Sequence, residues 1–370
     1  MKIIIDDKIP FIQGVFEPYA KVIYVGGSDF TPQLVRDADA LIIRTRTKCN
    51  RSLLEGSKVK FIATATIGFD HIDRDYCASK GIIWKNAPGC NSWSVAQYMA
   101  AVFALLFINK GVDVQGKTLG IVGVGNVGSK VAKYASALGM RVLLCDPPLE
   151  QSGSYMDFVS LKEIKEQCDI ITFHVPLSME GEHKTFHMVD EQFLNECSRT
   201  PILCNTCRGE VFSTESVLLA LKEKMIEEVV IDCWEDEPAI NQELLNLAFI
   251  ATPHIAGYSR DGKAMGTTMS VHSMAAYFKL PLLDWSPEGI EPPVCPIIDI
   301  DVHGGRSALW NTIYHTYPIE KEVDLLKHHV ATFEQQRGDY PLRREFPAYT
   351  VKTKDYPFQE VLAKLNFNLL

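Results

Sequence analysis

Short apolar runs recur along the first 90 residues and again between residues 117 and 251, each followed by polar or glycine-containing turns and separated by helical segments. In the first stretch the strand-like runs are Ile3–Ile5, Val22–Val25, Leu41–Arg44, Phe61–Ala63 and Ile82–Trp84. In the second they are Thr118–Val122, Val142–Cys145, Ile170–His174, Ile202–Cys204, Val229–Asp232 and Phe249–Ala251. Strands alternating with helices imply parallel pairing and an α/β layer structure. The expected fold is therefore two Rossmann-like doubly wound parallel sheets, followed by a small C-terminal α+β segment.

Between the two strand series lies Ser92–Ile108, predicted as one helix. Its most apolar part, Val95–Ile108, is shorter than the ~20 residues a membrane span needs and is interrupted by Gln97 and Tyr98, so a buried helix is expected. Tyr258–Lys279 reads as a second long helix, too far down the chain to join the second sheet, which predicts that the chain crosses back to the first domain. A proline-rich passage follows, with Pro281, Pro287, Pro292, Pro293 and Pro296. Beyond it the pattern predicts strands Ile297–Val302 and Ala348–Lys352 and amphipathic helices Lys321–Gln335 and Phe358–Leu365. The domain expectation is 1–92 with 256–280 for substrate, 93–255 for the nucleotide, and 281–370 for a linker and a C-terminal domain serving oligomerisation or substrate closure.

A net charge of −9 without a basic block argues against nucleic acid or an anionic membrane as partner. The N-terminal Met1–Ile5 meets Asp6 and Asp7 at once and reads as a first strand, not a signal peptide. Ten scattered cysteines, several inside strand-like runs, suit reduced buried thiols in a cytoplasmic protein better than a disulfide framework. Cys204-Asn-Thr-Cys207 has redox spacing but ends a strand instead of opening a helix. His183 and His187 lack a third ligand nearby in sequence, so no metal site is expected.

The strongest local signal is Gly123-Val-Gly125-Asn126-Val127-Gly128, which comes straight off an apolar run and opens a helix-periodic segment. Strand, tight turn and helix are the context a dinucleotide fingerprint requires. Gly123 allows the turn, Gly125 the approach of a pyrophosphate, and Gly128 close packing of helix on strand, with the helix N-terminus facing the phosphate charge. The next strand ends on Asp146, whose carboxylate can accept from both ribose hydroxyls and would repel a 2′-phosphate. NAD is thus favoured over NADP.

Three polar residues lie just after later strand ends: Arg208, Glu237 in Asp232-Cys-Trp-Glu-Asp-Glu-Pro238, and His254 in Thr252-Pro-His-Ile-Ala-Gly257. Hydride transfer from a hydroxy acid needs a base for the hydroxyl proton, a cation for the carboxylate, and a group that tunes the base. Histidine titrates near neutrality, glutamate on its other nitrogen fixes the tautomer, and a guanidinium forks onto a carboxylate. Arg44-Thr45-Arg46 and Thr64–Gly68, each after a strand of the first series, are candidate substrate loops.

The glycine motif to Asp146, followed by Arg208, Glu237 and His254 in that order, resembles the D-isomer-specific 2-hydroxyacid dehydrogenases. Thr64–Asp73, Asn86–Asn91, His254–Lys263 and Asp339–Glu345 carry the likeness along the whole chain. The resemblance implies NAD-dependent oxidation of a small phosphorylated hydroxy acid by a cytoplasmic homodimer joined through its C-terminal domain. It implies Arg208, Glu237 and His254 as the catalytic trio. Substrate contacts would fall at Thr45, Thr66 and Tyr258, and cofactor contacts at Asn126, Val127, Asp146, Val175, Cys207, Arg208, Asp232 and Gly257. Threonine replaces the expected serine at 45, which keeps the hydroxyl. Val175 replaces the expected threonine, which leaves only backbone or packing contact. A substrate phosphate needs cations of its own: Arg44 and Arg46 in the first domain and Arg343 and Arg344 in the last are the available clusters, and one arginine from each is expected to bracket it. The alternatives are a relative acting on 3-phosphoglycerate or a glyoxylate-type acid, and, from another class, an NAD-sensing scaffold.

Overall fold

The computed structural model describes residues 1–300 and 305–370, and the chain divides into two compact units. One comprises Met1–Asn91 with Ser259–Glu291, the other Ser92–Tyr258 with Pro292–Leu370.

The first unit is built on five parallel strands: β1 (Lys2–Asp6), β2 (Lys21–Val25), β3 (Ala40–Ile43), β4 (Phe61–Thr64) and β5 (Ile83–Lys85), in the order β2-β1-β3-β4-β5. β3 and β4 are buried at every position, as strands covered by helices on both faces must be. The Arg260–Phe278 helix packs on β4, and Val271 and Met274 join Ile3, Ile5, Phe61 and Ala63 in one core. Strand order reverses between β1 and β3, so the crevice at their carboxyl ends receives the Arg44–Arg46 loop.

The second unit carries six parallel strands: β6 (Thr118–Val122), β7 (Arg141–Cys145), β8 (Ile170–Phe173), β9 (Ile202–Asn205), β10 (Glu228–Ile231) and β11 (Ile250–Ala251), in the order β11-β10-β9-β8-β6-β7. Here the reversal falls between β6 and β8. The Ser92–Lys110 helix has the length and apolarity of a membrane span, yet it lies inside this unit's core. Its polar residues explain why. The Ser94 hydroxyl donates to Glu345 (2.7 Å), the Gln97 amide to the Arg344 carbonyl (3.0 Å), and the Tyr98 hydroxyl pairs with that of Thr252 (2.8 Å).

The C-terminal segment forms a small parallel sheet, β12 (Ile297–Asp299), β13 (Thr350–Lys352) and β14 (Asn368–Leu369), with α-helices at Gly305–Thr316, Glu320–His328, Phe333–Gly338 and Tyr356–Lys364. Its core is shared with the second sheet. Trp310, Ile313, Phe346, Val351 and Leu362 belong to the same buried cluster as the Ser92–Lys110 helix and β6, and the Phe107 and Trp310 rings lie 6.0 Å apart. The Gly305–Thr316 helix was not legible from periodicity. The helix expected at Lys321–Gln335 is split by a 3₁₀ turn at Val330–Thr332. At the break, the Thr332 hydroxyl and the Gln336 amide both donate to the His329 carbonyl, offering the backbone an alternative to the helical ladder. The strand expected at Ile297–Val302 is present as Ile297–Asp299, and Val302 lies outside the described residues.

Candidate active site

The glycine turn closes the carboxyl end of β6. Gly123 has φ +89°, and a Cβ there would meet the His174 carbonyl oxygen at 2.7 Å and Val175 Cγ1 at 2.9 Å. That places Val175, at the end of β8, against the turn as a packing residue. A Cβ on Gly128 would sit 2.0 Å from the Gly123 oxygen, so the Asn126–Ala137 helix packs on the turn only with glycine there. A Cβ on Gly125, by contrast, would meet no atom within 4 Å, and this N-cap residue supplies no side-chain bond to the helix. The start of the helix is thus open beside Gly125, and no side chain caps it, as a pyrophosphate site requires. Asn126 is exposed and Val127 half-buried in that first turn. Asp146 accepts from the N–H groups of Val124 (2.8 Å) and Leu149 (3.0 Å), which fixes the carboxylate while leaving lone pairs for ribose hydroxyls. The residues fit NAD.

Past β9, buried Asn205 ties its own loop together. Its amide donates to the Arg208 carbonyl (2.9 Å) and its oxygen accepts from the Cys207 N–H (3.1 Å). Arg208 itself donates to the Cys207 carbonyl (2.8 Å). Gly209 lets this loop touch the next one: a Cβ there would fall 1.8 Å from the Trp234 oxygen, in the loop after β10. Burial pushes the Cys207 thiol up to about 11, so it stays a neutral thiol, unlike the lowered thiolate of a redox pair.

The loops after β10 and β11 form the core of the site. Asp232, 1% exposed, accepts from the Thr252 hydroxyl (2.7 Å) and from the N–H groups of Ile255 (2.8 Å) and Ala256 (3.0 Å). The His254 N–H donates to the Asp232 carbonyl (2.9 Å), and His254 holds φ +56°. A non-glycine residue in the left-handed region costs backbone energy and persists only where neighbours over-determine it. Burial raises the Asp232 carboxyl above its ordinary value, against the opposing charge of His254 and the three donors.

His254 Nδ1 faces Glu237, 2.8 Å from Oε2 and 3.1 Å from Oε1. Oε1 also accepts from the Trp234 N–H (2.8 Å), while the Trp234 indole donates to the Thr252 carbonyl (2.9 Å). Burial alone would raise the Glu237 carboxyl. The His254 bond, the Trp234 N–H and the Arg337 charge outweigh it, and the group ends below its ordinary range. Cys233 Sγ lies within 4.8 Å of this pair, a spacing a metal could bridge. Burial, then the charges of Asp232 and Glu237, push its thiol well above the ordinary value, so it remains a neutral thiol and a poor ligand. His187 pairs with Glu235 (2.6 Å) and His183 with Gln151 (3.3 Å), so those histidines share no ligand geometry.

The loop after His254 leads through Gly257 to half-buried Tyr258. Arg343, 8% exposed, is committed to holding it. Its guanidinium donates to the carbonyls of Ser94 (3.0 Å), Ala256 (2.6 Å) and Tyr258 (2.8 Å), and lies 4.1 Å from the Tyr317 ring centre. It has no donor to spare for a substrate phosphate, which corrects its expected place in a phosphate-binding cluster; neighbouring Arg344 is half-buried. Arg337, which sequence reasoning passed over, lies 3.9 Å from Glu237.

On the first unit, Thr45 and Arg46 are exposed in the loop after β3, and Arg44 pairs with buried Asp6 (3.1 Å). Arg46, Lys48, Ser28 and Thr47 line a hollow of about 290 Å³. The Thr66 hydroxyl donates to the Gly68 carbonyl (2.9 Å) and pairs with the Thr64 hydroxyl (2.7 Å), after β4.

Residues 104–256 match the family model described as the D-isomer specific 2-hydroxyacid dehydrogenase, NAD binding domain. The chain belongs to the D-isomer-specific 2-hydroxyacid dehydrogenases and is an NAD-dependent dehydrogenase. It is 52% identical to the erythronate-4-phosphate dehydrogenase of Bacteroides fragilis over 95% of this chain and 99% of that one. It is 43% identical to the Porphyromonas gingivalis enzyme of the same name, over 99% and 100%. Among solved structures, the D-lactate dehydrogenase of Aquifex aeolicus complexed with NAD and lactic acid is 27% identical, with a TM-score of 0.61 over 79% of this chain and all of that one.

Proposed function

We propose that this dehydrogenase oxidises 4-phospho-D-erythronate to (R)-3-hydroxy-2-oxo-4-phosphooxybutanoate in pyridoxal 5′-phosphate (vitamin B6) biosynthesis. Near-complete similarity to the Bacteroides and Porphyromonas enzymes supports the substrate, and the 2.8 Å contact between His254 Nδ1 and Glu237 carries the chemistry. With Nδ1–H directed at the carboxylate, Nε2 is the free lone pair that takes the substrate hydroxyl proton. Glu237 holds the tautomer and stabilises the imidazolium that forms. Arg208 forks onto the substrate carboxylate and polarises the oxygen at the reacting carbon. The Gly123–Gly128 turn and Asp146 would hold NAD, whose nicotinamide would supply the hydride acceptor for C2. Asp232 fixes the His254 loop, and its remaining lone pair is the acceptor for the nicotinamide carboxamide.

Thr45, Thr66 and Tyr258 contact the substrate in this reading, with Arg44, Arg46 and Arg344 as cations for its phosphate. A cytoplasmic homodimer joined through the C-terminal segment completes it. The test is turnover, followed by absorbance of reduced nicotinamide, with NAD and 4-phospho-D-erythronate, with and without a 2-oxo acid. 3-Phosphoglycerate with NAD, and glyoxylate with NADH in the direction of reduction, serve as the alternative substrates. The four-carbon acid should win in kcat/KM by about tenfold or more over the three-carbon one; a preference for 3-phosphoglycerate would reassign the substrate.

A further inference from the structure

Two arginines six residues apart in the C-terminal segment act on the loop that carries His254. Arg343 holds its backbone by donating to the Ile255, Ala256 and Tyr258 carbonyls. Arg337 acts on its side chains. From the Phe333–Gly338 helix its Nη1 stands 3.9 Å from Glu237 Oε2, the same oxygen that makes the shorter contact to His254, and its guanidinium hydrogen-bonds the Tyr258 side chain. Its side chain is 24% exposed, and its Nε is buried without an acceptor. A long cationic side chain in such a place gives up hydration, and a structural brace alone would be served as well by the nearby Glu334, 3.7 Å away.

We propose that Arg337 is a positioning residue for catalysis, which braces Glu237 and Tyr258 together and so aims the His254 imidazole at the substrate hydroxyl. This rests on the dehydrogenase reading above. Glu237 must stay ionised both before and after His254 takes the proton. When the imidazole is neutral, the Arg337 guanidinium is the nearby cation that keeps a buried carboxylate charged. The other charged or titratable groups acting here are the neutral Cys233 thiol, which also feels the Arg208 charge, and buried Asp232, which feels the charge of His254. Tyr258, held by the same guanidinium, is fixed relative to the base. The C-terminal segment therefore contributes to the active site of its own chain, independently of any dimer contact.

The experiment compares wild type, Arg337→Met and Arg337→Lys for kcat, KM for the hydroxy acid, the pH profile of kcat, NADH affinity by fluorescence, and melting temperature. The rates are taken with 4-phospho-D-erythronate or, if the wild type rejects it, with the D-2-hydroxy acid it does oxidise. A wrong substrate thus appears in the wild type alone, and a wrong role for Arg337 appears in the ratio. For Arg337→Met, kcat should fall about tenfold or more and the acid limb of its pH profile should move up by about half a unit or more, with NADH affinity unchanged. Arg337→Lys, which restores the charge, should return the acid limb to its wild-type position with a partial recovery of kcat. Wild-type kcat and pH profile in the Met variant would overturn the proposal. So would a rate loss matched by equal losses of NADH affinity and melting temperature, or a Lys variant whose acid limb stays displaced.

Discussion

Replacing Glu237 by glutamine puts a neutral amide where the carboxylate meets His254 Nδ1 at 2.8 Å, with little change in volume. The Trp234 N–H, 2.8 Å from Oε1, still finds an oxygen, so the loop after β10 keeps its shape. What changes is the partner of an imidazole that becomes cationic as the hydroxyl proton arrives. A hydrogen bond to a charged group is worth about 1.5–3 kcal/mol, and a neutral one about 0.5–1.5. The difference, about 1–2 kcal/mol, converts to roughly 5- to 30-fold in kcat at 1.4 kcal/mol per factor of ten. The amide can also donate, which would favour the wrong tautomer and add to the loss. The assay is steady-state turnover at saturating NAD, with NADH affinity measured separately and expected to hold. A Glu237→Gln enzyme with kcat within about twofold of wild type would refute the role given to the pair. Stability should respond too. A carboxyl lowered in the folded state stabilises above its unfolded value, and that contribution disappears as pH falls through the folded one. The wild type should therefore lose more stability than the variant on acidification below about pH 4.5.

Glu322 carries the opposite sign. Burial pushes its carboxyl up to about 7, and one of its oxygens has no partner. Between its unfolded and folded values the native state holds the extra proton, so stability declines as pH rises. Glu322→Gln should gain up to about 3 kcal/mol at pH 8 and nothing at pH 4, read by denaturant melts at both; equal gains would contradict it. Gly128→Ala drives a Cβ to 2.0 Å from a backbone oxygen, so the glycine turn must move. NADH affinity should fall by about tenfold or more, with about 1–3 kcal/mol lost in stability, and unchanged affinity would count against this turn as the pyrophosphate site. Tyr98→Phe cuts the Tyr98–Thr252–Asp232 chain behind the His254 loop. A loss of about 0.5–1.5 kcal/mol is expected in thermal or urea melts, and no loss would show the chain to be idle.

Both sheets were legible because their strands are apolar runs such as Ile3–Ile5 and Val229–Asp232, punctuated by turns, and parallel pairing follows from the helices between them. The glycine motif was legible because tight turn and close packing leave no room for a side chain at Gly123 or Gly128. His254 and Glu237 could be paired from their places after adjacent strands. Arg337 could not. In sequence, Glu334-x-x-Arg337 looks like an ordinary charged pair on a solvated helix face, and only packing turns one end of it toward Glu237. Arg343 misled for a related reason: its spacing shows a cation, and only the fold shows that backbone carbonyls consume its donors. The Gly305–Thr316 helix hid because its buried face, Leu309, Trp310 and Ile313, is short and is completed by the Ser92–Lys110 helix, distant in sequence.

In the proposed reaction hydride leaves C2 of a D-2-hydroxy acid while His254, set by Glu237, takes the hydroxyl proton. This is tested most directly with 4-phospho-D-erythronate deuterated at C2, NAD, and mass analysis of the recovered nucleotide, for wild type and His254→Ala. The expected result is deuterium on the nicotinamide ring of the wild-type product and a rate lower by orders of magnitude in the variant. Deuterium lost to water, or a His254→Ala enzyme that transfers it at the wild-type rate, would contradict the account.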